Sequence, residues 1–254
     1  MVDPAARRSS SSSAQGLPSA REEDLDRPSA PRPVQRWRLV VGRGSDAVVP
    51  GQRELAGAWE AAFGASGLPL ARTDDARARP RVSFGPALPQ SMSADGELID
   101  VVLTERWPIW RVRAALEGRL PPGWRLVDLY DVWLAGPPLA GRVAAADYRI
   151  TLESALDPVA LKDAAAALLA ARRIPRQRPK GGATVTYDLR PLLLDVRLAE
   201  GAPPAVIETR TRFHPELGTG RPEEVLGALA ERMGVALEPA SIARRRLLLV
   251  EDLT

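Results

Sequence analysis

The chain has 254 residues, of which 45% are hydrophobic and 26% are charged, and its formal net charge is +3. These values are typical of a globular protein with one large or two small domains. The sequence has no cysteine and a single histidine, His214. The lack of cysteine excludes disulfides, thiolate metal sites and iron–sulfur ligation, and one histidine argues against a zinc site or a Ser-His-Asp triad. We therefore expect no metal and no cofactor.

No apolar run approaches the roughly 18 to 20 residues of a transmembrane helix. The first eight residues lead into serines rather than an apolar segment, which is not the pattern of a secretory signal. We therefore expect a cytoplasmic protein. Residues 1–33 carry the serine run Ser9–Ser13 and five prolines, a composition that cannot bury enough apolar surface to offset its ordering entropy. This segment is predicted to be a disordered tail.

The segment 34–138 predicts the element order β-α-β-β-α-β from its alternating and helical apolar spacings. The predicted elements are a strand at Trp37–Val41, a helix between Gly51 and Gly67, strands at Arg81–Phe84 and Leu98–Leu103, a helix opened by Pro108, and a strand at Trp124–Leu134. Four tryptophans cluster around the second helix and the last strand, and we expect them in the core: Trp107, Trp110, Trp124 and Trp133.

The segment 144–254 repeats this order with one extra strand. Its predicted elements are a strand at Tyr148–Leu152, a helix opened by Asp157 and Pro158, strands at Thr184–Leu189, Leu194–Leu198 and Val206–Phe213, a helix opened by Pro222, and a strand at Arg244–Val250. Proline at a first helical position favours both helix starts. The sequence thus predicts an α+β fold of two ferredoxin-like halves, 34–138 and 144–254, packed as a pseudo-repeat.

Several short motifs occur in an order and spacing that resembles the radical-SAM-linked protein family, a domain of unknown function. They are Gly67-Leu68-Pro69-Leu70-Ala71, the run Pro80–Pro89, Gly96-Glu97, Asp188-Leu189-Arg190-Pro191-Leu192, and the run Gly220–Leu226. The resemblance extends from about Trp37 to Leu249. Members are usually fused to, or encoded beside, a radical SAM protein, so the resemblance implies such a protein as a partner and carries no established activity.

The chain departs from the family pattern at two polar motifs. The Ser-His-Leu-Asp element that usually opens the first helix is replaced here by residues 51–54, and Gly57 stands in place of an arginine. The Gly-Phe-Asn-Pro-His-Pro run is replaced by Asp75–Pro80, which has neither the histidine nor the asparagine. The chain is therefore identified as a divergent member, and any chemistry of that polar cluster is expected to be lost.

Two arginine-rich segments are candidate phosphate-binding sites, because guanidinium groups bind phosphate oxygens bidentately. The first comprises Arg72, Arg77, Arg79 and Arg81, around Asp74 and Asp75. The second comprises Arg172, Arg173, Arg176, Arg178 and Lys180, which we expect to form an extended basic loop. The alternative for both is a solvated charged loop with weak local ion pairs, and the end of the preceding helix alone favours the first cations of the second segment.

Three functions agree with these features. The first is a non-catalytic accessory protein that binds an RNA-type substrate through the two basic segments for a separately encoded radical SAM enzyme. The second is a module that binds the radical SAM partner and no nucleic acid. The third is an RNA-modifying enzyme with Asp100 or Asp188 in a cleft, which the missing family histidines oppose. The duplicated ferredoxin-like order supports the first only by analogy of fold.

Overall fold

The computed structural model describes residues 31–45, 47, 52–153, 156–200 and 204–253. All but the last three residues of the predicted tail, 1–33, lie outside these ranges. Within them, four helices and a mixed nine-stranded sheet confirm the α+β class. None of these helices combines the length and the apolar character needed to cross a membrane.

The first part of the chain contributes one side of the large sheet. Its elements are β1 (Gln35–Arg43), α1 (Gln52–Ala65), β2 (Val82–Phe84), β3 (Ser93–Leu103), α2 (Ile109–Leu116) and β4 (Trp124–Val132). β1 pairs with β3 and β4, and β3 pairs with β2, all antiparallel. The strand order on this side is therefore β4-β1-β3-β2. β4 has one paired edge and ends the sheet.

The second part contributes the other side. Its elements are β5 (Val143–Leu152), α3 (Pro158–Ala170), β6 (Pro175–Lys180), β7 (Ala183–Asp188), β8 (Leu193–Leu198), β9 (Val206–His214), β10 (Gly218–Thr219), α4 (Pro222–Met233) and β11 (Pro239–Leu249). β5 pairs with β11 and β9, and β9 pairs with β8, all antiparallel. The order here is β11-β5-β9-β8. β6 and β7 form a separate two-stranded hairpin.

Helices α3 and α4 begin where the sequence predicts. The Asp157 carboxylate accepts a hydrogen bond from the Val159 amide at 2.9 Å, and Pro158 follows in the first turn. Pro222 likewise opens α4, which ends at Gly234 with a φ of 68°. A left-handed residue at this position is usually glycine, since a side chain would be strained there.

Each part buries its own apolar cluster between its helices and one face of the sheet. In the first, Leu39 of β1 and Val101 of β3 pack with Trp59 of α1 and Val112 of α2. Most residues of the second cluster come from strands β5, β8, β9 and β11, from helices α3 and α4 and from the segments between them, and Met92 and Leu98 join it from the first part. Residues two apart along a strand share a face. The intervening polar residues of β5, β8 and β9 therefore point away from α3 and α4.

The two sides join through a short parallel pairing of β3 and β11. The register places Ala243 opposite Ser93 and Arg244 opposite Ala94. Next to this contact, a Cβ atom on Gly96 would lie 2.9 Å from the carbonyl oxygen of Arg245. This close approach of two backbones requires glycine at position 96.

Two predictions from the sequence are wrong. Trp110 and Trp133 are not core residues, since they are 68% and 76% exposed, whereas Trp124 packs edge-on against Trp59 at 5.3 Å. The 172–180 segment is not an extended loop throughout, because its second part is strand β6, paired along its full length with β7. The hairpin forms because β6 and β7 are neighbours in the chain, joined by a turn at Gly181 and Gly182, whose φ values of 59° and 82° suit glycine.

Candidate nucleic-acid interface

The first arginine-rich segment, 72–81, is a loop that folds onto itself. The Thr73 amide donates to the Arg79 carbonyl oxygen at 2.8 Å, and the Arg81 amide donates to the Ala71 carbonyl oxygen at 2.8 Å. The Asp75 carboxylate accepts from the Arg77 and Ala78 amides at 2.9 and 3.1 Å. The hydrogen bond from the Arg77 amide is the main reason that the pKa of Asp75 lies below its ordinary value.

The arginine side chains of this loop divide into two groups. The guanidinium of Arg72 donates to the Ala78 carbonyl oxygen at 2.8 Å, and that of Arg79 lies 3.5 Å from Asp75. The side chains of Arg77 and Arg81 are exposed, and neither donates to a residue in the described ranges. The loop therefore holds two of its four guanidiniums and leaves two open to solvent.

In the second segment, some of the basic side chains make contacts within the protein instead of lying open to solvent. Arg176 donates from Nε to Glu224 at 2.9 Å and pairs with Glu231 through Nη1, which fixes the hairpin on α4. Arg178 lies over the Tyr187 ring at 4.8 Å. Arg172 and Arg173 are exposed, and Arg173 lies 3.7 Å from Asp188. Of Lys180 only the backbone is described.

The structure does not bring the two segments together. No hydrogen bond or ion pair among the described residues joins 72–81 to 172–180. The first segment returns to the end of β3, where the Val102 amide donates to Arg81. The second docks on α4. They are separate basic sites.

A third basic surface lies on the second side of the sheet, on the face of β8, β9, β5 and β11 that points away from α3 and α4. We call it the open face. It forms a shallow cleft of about 350 Å³. Five arginines and three carboxylates line it, a formal charge of +2: Arg149, Arg197, Arg210, Arg245, Arg246, Asp147, Asp195 and Glu208.

The charged side chains of the open face alternate in sign along rows that cross the strands. In one row, the Glu208 carboxylate accepts from Arg197 at 2.6 Å and from Arg149 at 3.0 Å. In the next row, the Asp147 carboxylate accepts from Arg210 at 2.6 Å and from Arg246 at 2.8 Å. Opposite charges facing each other across strands stabilise a sheet modestly.

Both bridging carboxylates are held in their charged form. The pKa of Glu208 is lowered by its hydrogen bonds from Arg197 and then Arg149. Burial of Asp147 opposes ionisation, but hydrogen bonds from Arg210 and Arg246 outweigh it, and the pKa of Asp147 also lies below its ordinary value. Each carboxylate thus orients two guanidiniums and neutralises only one.

The sequence itself contains a signal for this surface. Three strands carry an acid and an arginine two residues apart: Asp147 and Arg149, Asp195 and Arg197, Glu208 and Arg210. Two residues apart on a strand means the same face. In antiparallel neighbours, such a pattern places each acid opposite an arginine, as the register of β9 with β5 and β8 shows.

The two aspartates proposed as catalytic are both engaged in structure. Asp100 is 1% exposed and accepts from Arg36 and Arg38, with distances of 2.5 to 3.0 Å. Asp188 accepts from the amides of Ile174 and Arg190 at 2.8 and 3.0 Å. Burial closes Asp100 to a substrate, whereas the Asp188 side chain is 27% exposed. The described residues also contain no group of three or more acidic or histidine side chains placed to hold a metal.

Comparison with known proteins places the chain in a family. The match to DUF2344, described as an uncharacterized protein conserved in bacteria, covers residues 36–222. The chain belongs to this family. No curated protein matches it.

Two solved structures show weak likeness. A crystal structure of the archaeal box H/ACA sRNP Nop10-Cbf5 complex has a TM-score of 0.39 at 10% identity, covering 81% of this chain and 47% of that chain. A Cbf5-Nop10-Gar1 complex has a TM-score of 0.38 at 8% identity, covering 84% of this chain and 58% of that one. This chain thus spans only about half the length of those proteins. At such scores, the likeness establishes neither a shared fold nor a shared activity.

Proposed function

We propose that the protein is a non-catalytic accessory protein that binds an RNA-type substrate through basic surfaces and acts with a separately encoded radical SAM enzyme. The observation that carries the nucleic-acid part is the open face, where carboxylates orient guanidiniums and leave a charge of +2. The exposed arginines of the 72–81 and 172–180 segments are secondary contacts in this proposal.

Phosphate oxygens are the favoured ligands for such a surface. The side chains of Arg197 and Arg246 are 66% and 59% exposed although each contacts a carboxylate. Part of each guanidinium group therefore remains accessible to a ligand. A guanidinium presents five donors and can contact a carboxylate and a phosphate together. Contacts of this kind position a nucleic acid without reading its sequence.

The radical SAM partner rests on the resemblance to the radical-SAM-linked family. The sequence printed here has no cysteine, and iron–sulfur clusters are held by thiolates. In this proposal, the cluster therefore belongs to the other protein, and this chain supplies substrate binding.

We also propose that the two sides of the sheet are ferredoxin-like halves of a pseudo-repeat. The antiparallel orders β4-β1-β3-β2 and β11-β5-β9-β8 support this. If the four principal strands of each half are numbered along the chain, both halves have the spatial order fourth, first, third, second. The β6–β7 hairpin and β10 are then insertions in the second half.

The RNA proposal is tested by binding of mixed RNA at several salt concentrations. Affinity should fall steeply with salt, since each neutralised phosphate releases a counterion. The R197A/R246A double variant should bind at least about tenfold more weakly and flatten the log–log salt slope by up to about two units. R232A is a matched control, because Arg232 is exposed on α4, on the other side of the sheet.

Two results would contradict the RNA proposal. Absence of binding by the parent protein at low salt removes RNA as the substrate. Unchanged binding by the double variant, with the same salt slope, removes the open face as the interface and leaves the two arginine-rich segments to be tested by substitution.

A protein-binding role is the second candidate, and edge strand β4 favours it. Val127 and Tyr130 of β4 are 45% and 41% exposed, Trp133 follows at 76%, and Trp110 of α2 is 68% exposed. A free strand edge offers unpaired backbone groups to a partner strand. If this role holds, a W110S/W133S variant should lose co-purification with the radical SAM partner of this proposal, while R197A/R246A retains it.

A further inference from the structure

A second cleft, of about 460 Å³, opens between the two sides of the sheet, and we call it the central cleft. Residues of the 86–92 loop line it together with Thr219, Arg221 and the start of α4. Tyr148 and Arg244 also line it, and they are only 4% and 1% exposed. These two buried polar side chains form its floor.

The floor offers an unused hydrogen-bond donor. The Tyr148 hydroxyl lies close to the Arg244 guanidinium, and burial raises its pKa, so it stays protonated. The Arg244 donors are directed to Glu97 and to the Pro86 and Ala87 carbonyl oxygens, so the hydroxyl proton remains for another acceptor. Within the described ranges, no residue accepts that proton. The Thr219 hydroxyl and the Arg221 guanidinium also donate to no described residue.

The charge beneath the cleft is positive. Arg244 pairs with Glu97, and the pKa of nearby Arg43 is lowered by burial, with Arg244 adding to the effect and Glu97 opposing it. Two buried guanidiniums thus share a single carboxylate. Arg43 is 2% exposed, and its Nε and Nη1 have no hydrogen-bond partner among the residues that the structure describes. An uncompensated buried cation favours an anion bound close by.

The residues that line the central cleft also carry a net positive charge, and some of them supply apolar surface. Two arginines, Arg221 and Arg244, and one carboxylate, that of Glu223, line the central cleft. Phe213, Pro86 and Met92 supply apolar surface. The positive end of the α4 dipole also lies at this wall, and it stabilises negative charge.

We propose that the central cleft binds a small organic anion, a carboxylate or phosphate monoester carried on an apolar body. The anion's oxygens accept hydrogen bonds from Tyr148, Thr219 and Arg221, and the apolar body packs between Phe213 and the 86–92 loop. This site is separate from the open face and does not depend on RNA binding.

Titration calorimetry of the full chain with benzoate tests the proposal, with benzamide as the neutral isostere. Benzoate should bind saturably in the millimolar range, and benzamide at least about tenfold more weakly, because it lacks the charge. Y148F, which keeps the ring and removes the hydroxyl, and R221A should each weaken benzoate binding about tenfold. Competition by inorganic phosphate shows whether a phosphate can occupy the same site.

The control is R197A on the open face, which should bind benzoate like the parent. Y148F and R221A should in turn keep parental RNA affinity, so that failure of either proposal is distinguishable from failure of the other. Thermal unfolding verifies that both cleft variants are folded. Absence of saturable benzoate binding at millimolar concentration overturns the proposal, as does parental benzoate binding by both cleft variants.

Discussion

Arg244 of β11 and Glu97 of β3 form a buried ion pair at the place where the two sides of the sheet meet. Nε of Arg244 donates to one carboxylate oxygen of Glu97 at 2.7 Å, and Nη2 donates to the other. Nη2 also donates to the Pro86 carbonyl oxygen at 2.7 Å. The side chains are 1% and 8% exposed. One guanidinium therefore connects β11, β3 and the loop that walls the central cleft.

Replacement of Glu97 by Gln should lower the free energy of unfolding by about 3–5 kcal/mol, because it leaves a buried guanidinium without a counter-charge. Urea unfolding measures this. The E97L/R244M variant should recover much of the loss, since it removes Arg244 together with its counter-charge and leaves the same excess of one buried guanidinium, Arg43, as in the parent. D95N is the control: Asp95 pairs with exposed Arg125 and Arg245, and its loss should cost under about 1 kcal/mol. A cost for E97Q as small as that of D95N would contradict the prediction.

Neutralising a bridging carboxylate of the open face should strengthen RNA binding. E208Q frees Arg149 and Arg197 from their shared partner and raises the charge of the face by one. We expect affinity to rise several-fold at low salt and the salt slope to steepen by up to about one unit. Filter binding at graded salt measures both. E223Q, which alters charge at the central cleft instead, is the matched control, and an equal gain there would mean that only net charge matters.

The ion-paired carboxylates predict acid sensitivity. The pKa values of Asp147 and Glu208 lie below the ordinary 3.8 and 4.5. A lowered folded-state pKa contributes stability that is fully present above the ordinary value and is lost as the pH falls through the folded value. The free energy of unfolding should therefore decline below about pH 4.5. A D147N/E208Q variant should decline less steeply, and an unchanged slope would show that these two groups do not contribute.

Arginines of the 172–180 segment should differ in their effect on stability. Arg176 is 15% exposed and bonded to Glu224 and Glu231, so R176A should cost about 1–3 kcal/mol. R173A is the matched control, because Arg173 is 82% exposed and its loss should cost under about 1 kcal/mol. Thermal unfolding compares them. Equal melting temperatures would show that the hairpin does not depend on α4.

Local signals predicted much of the secondary structure. Asp157 followed by Pro158 and the proline at 222 marked helix starts correctly, since both act within one turn of the chain. The strands of each side could be grouped correctly from the sequence, because each antiparallel group comes from one continuous stretch of the chain. The β3–β11 pairing, which we call the seam, could not be predicted, because its residues lie about 150 positions apart in the chain.

The sites were harder to predict, because charge in sequence does not show its partner. Arg176 stands in a run without acids, yet its partners are Glu224 and Glu231, 48 and 55 residues later. Trp133 was expected in the core because the tryptophans cluster around one helix and one strand, but it follows the edge strand and is 76% exposed. The three acid-and-arginine pairs of the open face are visible in the sequence. They predict a charged surface only once it is known which strands are neighbours in the sheet.

The shortness of the β3–β11 pairing bears on the kinetics of folding. Every other strand pair in the described sheet closes within one side, so each side can form before the entropy of the longest loop is lost. We expect the seam to form after the transition state. Substitutions at Glu97 and Arg244 should then accelerate unfolding and leave the folding rate nearly unchanged, so the seam governs how long the native protein lasts rather than how fast it forms.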